Sequence, residues 1–166
     1  MTVLLGGIYP LLVTIIAYFA MPDLANGSFL RNEDKVIGSS LIAQKFTKDE
    51  FFWPRPSAIE FNPIAPSGGS NLGPISRKLK SQVEERAKVY GQEPSSIPSD
   101  LLYASGSGLD PHITLDAAYF QMERIAKARS MENTTALKAL IDSLTEGLEI
   151  KYVNVLRLNQ ELKSHD

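Results

Sequence analysis

The first 22 positions carry no charged side chain. Asp23 is the first, after an apolar run built on Val3-Leu4-Leu5, Leu11-Leu12-Val13 and Ile15-Ile16. About twenty helical residues rising 1.5 Å each reach roughly 30 Å, the thickness of a bilayer's hydrocarbon core. The pattern predicts one transmembrane helix over residues 1–22, with Tyr18 and Phe19 suited to the aromatic interface at its far end. A secretory signal peptide is the competing reading, and Ala17 and Ala20 imitate a cleavage site. The run has no basic start, however, and is about twice the usual length of such a core. Gly7, Pro10, Thr14, Ala17 and Met21 recur at spacings of three and four. They put small or polar groups on one stripe, where a second membrane helix can approach closely. Pro10 cannot donate to the Gly6 carbonyl, so a bend is expected there. Arg31 and Lys35 are too few and too distant to fix orientation by charge.

Residues 23–35 read as a polar linker with a turn at Asn26-Gly27. Residues 36–166 read as one α+β domain with about three helices and a small sheet. Val36-Ile37 and Leu41-Ile42 suggest a short strand interrupted by Gly38-Ser39-Ser40, and Phe51-Phe52-Trp53 an aromatic turn. Residues 54–73 are rich in Pro, Ser, Asn and Gly, and loops of that length are usually functional or disordered. Trp53, Phe61 and Ile64 are expected to pin this one. Pro74 is expected to open a first helix with Ile75, Leu79, Val83, Ala87 and Tyr90 on its apolar face, stopped by Gly91. Thr114 caps a second with Leu115, Ala118, Met122, Ile125 and Ala126. Asn133 caps a third with Leu137, Leu140, Ile141 and Leu144, closed by Gly147. Val153-Asn154-Val155 reads as a last strand.

Composition narrows the chemistry. Of 166 residues 43% are hydrophobic and 22% charged, and the formal net charge is −2. Nucleic acid needs clustered Lys and Arg and is not expected as a partner. There is no cysteine, which excludes disulfides, thiol nucleophiles and Cys-based zinc sites, and His112 and His165 alone do not make a histidine-rich metal centre. Gly68 and Gly73 have the spacing of the two P-loop glycines. Pro74 and Ile75 follow where Lys and Ser or Thr are required, so neither the phosphate cation nor the magnesium ligand is present. Gly106-Ser107-Gly108 opens like a dinucleotide fingerprint, but Pro111 replaces its third glycine. Ser105 or Ser107 with Asp110 and His112 supply the residue types of a hydrolytic triad, without the G-x-S-x-G elbow or convergence from separate segments. Gln121 and Arg124, one helical turn apart, can both reach one partner or can rim the core.

The segments that fail these tests carry a resemblance. Phe52-Trp-Pro-Arg55-Pro56-Ser57-Ala58, Ser67-Gly68-Gly69-Ser70-Asn71-Leu-Gly-Pro74 and Ala104-Ser105-Gly106-Ser107-Gly108-Leu-Asp110-Pro-His112-Ile113 resemble the signatures of the C subunit of the Kdp potassium-transporting ATPase. So do Ala117-Ala-Tyr119, Gln121, Arg124-Ile-Ala126, Ala128-Arg129, Thr145-Glu-Gly147 and Val153-Asn-Val-Leu156, together with Tyr9-Pro-Leu11 and Ala25-Asn-Gly-Ser28. The resemblance covers essentially the whole chain, in order. Three departures stand out. No basic, Arg-Pro-like segment precedes the apolar run, Ser130 stands where the family commonly has glycine, and the connection from Glu149 to Val153 is short.

The resemblance implies a non-catalytic accessory subunit of a high-affinity potassium uptake complex in the bacterial inner membrane. The implied partners are a channel-like potassium-translocating subunit, a P-type ATP-hydrolysing subunit, a small single-helix subunit and the lipid bilayer. It implies a cytoplasmic amino terminus and a soluble domain facing the periplasm. Members are described as assembly factors and as catalytic chaperones that raise ATP affinity of the hydrolysing subunit. Gln121, with Arg124, matches the position proposed to contact nucleotide. No cofactor is expected to bind firmly, and ATP only through the complex. A cytoplasmic nucleotide and an outward domain conflict, which favours coupling through the membrane helix. The signature residues Arg55 to Ser57, Ser67 to Asn71, Ser105 to Gly108, Asp110 and His112 are interface candidates. Gly7, Pro10, Thr14 and Ala17 are the candidate membrane packing face. The alternatives are a signal-anchored envelope hydrolase and an extracytoplasmic ligand-binding module.

Overall fold

The computed structural model describes residues 1–32 and 35–164. His165 lies outside them. The chain divides into two compact units, Met1–Leu41 and Ile42–Asp166.

In the first unit the apolar run is helical but divided. A π-helical turn over Leu4–Ile8 is followed by α1, Tyr9–Ala20. Pro10 accounts for the division. Its ring crowds the carbonyl one turn back and it has no N–H to give. The Tyr9 N–H reaches back to Leu4 instead, a wider ring that admits the proline. The helix thus departs from regular α geometry just before the proline, as a π turn. No helix among the described residues is long and apolar enough to cross a membrane, so the single uninterrupted span expected over 1–22 is not what the structure contains. Of the expected packing stripe, Gly7 has open space where a Cβ would stand, and Thr14 Oγ1 donates to the Pro10 carbonyl at 2.8 Å. Pro10 is exposed and Ala17 half-buried.

The stretch read as a linker is built. α2 covers Pro22–Ala25, Gly27 takes a left-handed φ of 99° at the predicted turn, and β1 (Phe29–Asn32) pairs antiparallel with β2 (Lys35–Ser39). The predicted strand at 36–42 therefore ends at Ser39. Ser40 and Leu41 complete this unit.

The second unit is α+β. α3 runs Arg77–Tyr90, with Ser76 as its cap accepting from the Leu79 N–H and Gly91 closing it at φ 65°. Pro74 and Ile75 precede the helix, and Ile75 is 97% exposed rather than on the apolar face. A short α4 (Ser99–Leu102) buries Leu101 and Leu102. β3 (His112–Thr114), β5 (Tyr152–Asn154) and β4 (Thr145–Glu146) form an antiparallel sheet in the order β3-β5-β4. Thr114 caps α5 (Leu115–Phe120) as predicted, and α6 (Met122–Ala128) continues beyond a break at Gln121. α7 covers Thr135–Ser143 with Thr134 at its cap. Asn133 bonds the Thr135 N–H from one position earlier. Gly147 does not close α7 but lies beyond β4 at φ 89°.

The predicted last strand is displaced by one residue, and Val155–Ser164 forms α8. Asn154 starts this helix, its Oδ1 accepting from the N–H groups of Leu156 and Arg157. The core gathers Phe52, Leu101, Ile113, Ile125, Leu137, Ile141, Val153 and Leu158. Ile64, expected to pin the long loop, is 93% exposed. Ser130 ends α6 at φ 55°, with the Met131 N–H reaching back to Ala126. A left-handed helix end favours glycine, which is the residue common in the resembling family.

Candidate functional site

Residues 48–53 belong to no helix or strand, yet their carbonyls are all satisfied. Lys48 O accepts from the Trp53 indole at 2.9 Å. Arg124 donates to Asp49 O at 2.6 Å and to Phe51 O at 3.0 Å, and Arg129 Nε to Glu50 O at 2.9 Å. Asn159 grips Phe52 from both sides, its Nδ2 donating to the carbonyl at 2.9 Å and its Oδ1 accepting from the N–H at 2.8 Å. Gln121 does the same for Trp53: Nε2 donates to the carbonyl at 3.2 Å and Oε1 accepts from the N–H at 2.7 Å. Two buried primary amides thus act as strand neighbours for two consecutive residues. A buried backbone group costs free energy unless paired, and here α6, α8 and the α5–α6 break supply the partners.

Gln121 is 1% exposed. Its second amide hydrogen goes to Ala117 O at 3.1 Å and its oxygen also accepts from Arg124 at 2.7 Å. A primary amide has two donors and two acceptor sites, so Gln121 is saturated within its own chain. The Arg124 guanidinium lies 3.7 Å from the centroid of the Trp53 ring, a cation–π stack. Its Nε is buried without a hydrogen-bond partner, and burial lowers its pKa.

Trp53 stands between two clefts. One, of about 580 Å³, includes Gln121, Arg124, Lys127, Glu123 and Asp49 in its lining. The other, of about 290 Å³, has Pro54, Phe61, Leu101, Lys45, Arg55 and Arg86 among its walls. Trp53, Val89 and Tyr90 line both. Tyr90 packs between Trp53 and Phe120, and burial pushes its hydroxyl pKa up to about 12 against the pull of Arg124.

The three signature segments come together beyond Trp53. The Ser105 N–H donates to Pro56 O, and Ser67 Oγ and the Gly68 N–H both donate to Ser107 O. A Cβ on Gly69 would stand 3.2 Å from Gly106 O, and one on Gly108, already at φ 71°, 2.7 Å from Ile59 Cγ1. A side chain at Gly69 would be tight against the Gly106 backbone, and Gly108 requires glycine for both its close approach and its left-handed φ. Ser57 Oγ accepts from the N–H groups of Ile59 and Phe61. Ser70 is half-buried, and Asn71 is exposed at φ 50°.

Arg55 bonds Asp110 at 3.1 Å and lies 3.9 Å from Asp100, which accepts from the Thr114 N–H. Asp110 also accepts from the His112 N–H, and the His112 ring is 3.6 Å away. The His112 ring, its N–H and Arg55 hold the Asp110 carboxyl below the usual carboxylate range, against partial burial that pulls it up. The other His112 ring nitrogen faces Asn154 at 3.5 Å. Among the described residues no serine hydroxyl reaches that ring, and no group of three His, Cys, Asp or Glu could hold a metal ion. Asn159, Asp100 and Arg86 were not singled out by sequence reasoning, and Arg129 only as part of a signature. The helical period of Val155, Leu158, Asn159 and Leu162 is the signal that places Asn159 on an inner face.

Comparison with known proteins covers the whole of this architecture. The family model described as "K+-transporting ATPase, c chain" (KdpC) matches residues 1–164. A "Potassium-transporting ATPase KdpC subunit" of Geotalea uraniireducens (strain Rf4) is 45% identical, the alignment covering 97% of this chain and 90% of the relative. Proteins of that name from Leptospira interrogans (strain Fiocruz L1-130) and Yersinia pseudotuberculosis (strain IP 31758) are each 42% identical over 99% of this chain and 88% of their own length. The chain belongs to the K+-transporting ATPase c-chain (KdpC) family.

Proposed function

We propose that the chain is a non-catalytic accessory subunit of a potassium-transporting ATPase complex. It acts by holding a shaped surface against its partner subunits rather than by contacting ATP. Family membership supports the complex. The observation that carries the mode of action is the Gln121 amide, buried and with all its hydrogen-bonding capacity used within the chain. A nucleotide contact there needs at least one of those bonds to break, at a cost of about 1–3 kcal/mol for the group left unpaired.

In this reading residues 1–22 hold the chain in the inner membrane and the second unit faces outward. Support comes from the charge-free run and its exposed apolar side chains, Leu4, Leu11, Ile15 and Phe19 among them. The π turn and α1 follow each other without a gap. Helical residues 4–20 reach roughly 25 Å at 1.5 Å per residue, near the lower end of a bilayer span. Gly7, Pro10, Thr14 and Ala17 are the packing stripe for a partner's membrane helix. The subunits named above are the partners.

One observation favours the nucleotide reading. The larger cleft brings Arg124 and Lys127 together beside Gln121, two cations of the kind that meet phosphates.

The test is co-expression of the chain with the other subunits, with a cysteine at the exposed Ser164. The chain is expected to co-purify in detergent and to be labelled by an impermeant thiol reagent from outside the cell. Failure to co-purify, or labelling only after the inner membrane is opened, would overturn the reading.

A further inference from the structure

The smaller cleft at Trp53 has a charge balance that the chain itself leaves incomplete. Three cations, Lys45, Arg55 and Arg86, line it and no carboxylate does. Arg55 is compensated by Asp110 at 3.1 Å. Arg86 is different. Projecting from α3 and half-buried, it donates to the Leu102 carbonyl, and among the described residues it has no carboxylate within ion-pair distance. Burial lowers its pKa against the opposing pull of neighbouring Glu85, which lies beyond ion-pair distance and outside the cleft, the sign of a cation only partly compensated. A guanidinium carries five N–H donors in a planar fork, matched to a carboxylate. Exposed Lys45 likewise has no carboxylate partner among the described residues.

The apolar part of the cleft is held open by unusual backbone. Phe61, on its wall, sits at φ 59° directly after Glu60 at φ 56°. Two consecutive non-glycine residues in the left-handed region persist only where the surroundings fix them. Here both the Ile59 and Phe61 N–H groups are tied to Ser57 Oγ. The Trp53 wall is fixed in turn by Gln121.

We propose that this cleft seats a segment of a partner polypeptide in which an apolar side chain enters between Trp53 and Phe61 and a neighbouring Asp or Glu carboxylate meets Arg86 and Lys45. Charge complementarity sets the sign of the occupant. Its size follows from a volume of about 290 Å³, at the lower edge of small-molecule sites and enough for one or two side chains. Walls of Trp, Tyr, Phe and Arg are the composition enriched in binding hot spots. This seat presupposes the subunit reading above, and names the surface through which one contact is made.

Val89 supplies the test. It is 67% exposed on α3 and lines the cleft three residues after Arg86, so Val89→Glu offers Arg86 a carboxylate from its own helix. The isolated variant is expected to melt no lower than wild type, while its affinity for the partner subunits falls about ten- to a hundredfold, the value of a charge-assisted bond. Arg86, which does not line the larger cleft, gives the independent arm. Arg86→Gln should lose a similar factor and Arg86→Lys most of it back, with the thermal midpoint of each measured alone. A photoreactive residue at exposed Thr47, also on the cleft, should cross-link in the assembled complex to an apolar residue within two positions of an Asp or Glu in a partner subunit. Undiminished assembly of Val89→Glu and Arg86→Gln would overturn this seat, as would no cross-link or one to lipid, a second copy of this chain or a segment without a carboxylate. If the wild-type chain itself fails to co-purify, it is the subunit reading that falls, and the seat with it.

Discussion

Two polar side chains stand on opposite sides of the same tryptophan, and they differ in what they have left to give. Gln121 is buried, and each of its donors and acceptors meets a group of its own chain. Arg86 is half-buried, makes a bond to Leu102 O and faces a cleft without a carboxylate. Lining a cavity is therefore a weak guide to binding. The stronger guide is whether the polar group still has unspent hydrogen-bonding capacity or charge. By that measure the Gln121 side is scaffold and the Arg86 side is surface.

The sharpest way to break the contrast is Asn159, the second amide of the scaffold. If the two amides act as one clamp, Asn159→Ala strands the N–H and carbonyl of fully buried Phe52. Each stranded group costs about 1–3 kcal/mol, so a loss of about 2–6 kcal/mol is expected in chemical denaturation, together with lower complex yield. A loss under about 0.5 kcal/mol would mean that residues 48–53 are held by other means.

A smaller effect lies on the surface side. Asp110 has a lowered folded pKa, held down by His112 and Arg55. Its contribution to stability is therefore complete above the unfolded carboxyl value of about 3.9 and is lost as pH falls through the lower folded value. Because Asp110 is partly exposed, solvent screening keeps this to about 1 kcal/mol or less. Asp110→Asn should lower the neutral plateau by about that amount and meet the wild-type curve at low pH, so that the acid limb below pH about 4 is flattened. An unaltered acid limb would separate Asp110 from the Arg55 network.

Much of the scaffold could be read from residues alone. Apolar periodicity located α3, α5 with α6, and α7, with Thr114 and Gly91 as short-range signals, while the starts of α3 and α7 lie at Ser76 and Thr134 rather than at Pro74 and Asn133. α8 escaped, although Asn154 followed by a helical apolar period announces it, because Val153-Asn-Val155 also reads as a strand. The short strands β3 and β4 carry too few residues for a period of two to show. The clamp on residues 48–53 was out of reach for a different reason. Apart from the Trp53 indole, its donors lie 68 to 107 positions further along the chain, and nothing local in Phe51-Phe52-Trp53 reveals that side chains, not a strand, satisfy its backbone. Helical spacing and family resemblance both brought Gln121 to notice, and only geometry shows how its amide is used.

The central claim is that Gln121 positions the Trp53 segment and does not touch ATP. It is tested most directly by Gln121→Ala in the assembled pump, with the apparent KM for ATP, complex yield and thermal stability measured on the same preparation. The account predicts lower yield and stability, and a KM within about twofold of wild type, because the lost bonds are internal ones. A KM raised about five- to thirtyfold, the equivalent of one lost hydrogen bond to nucleotide, in an intact and equally stable complex would contradict it.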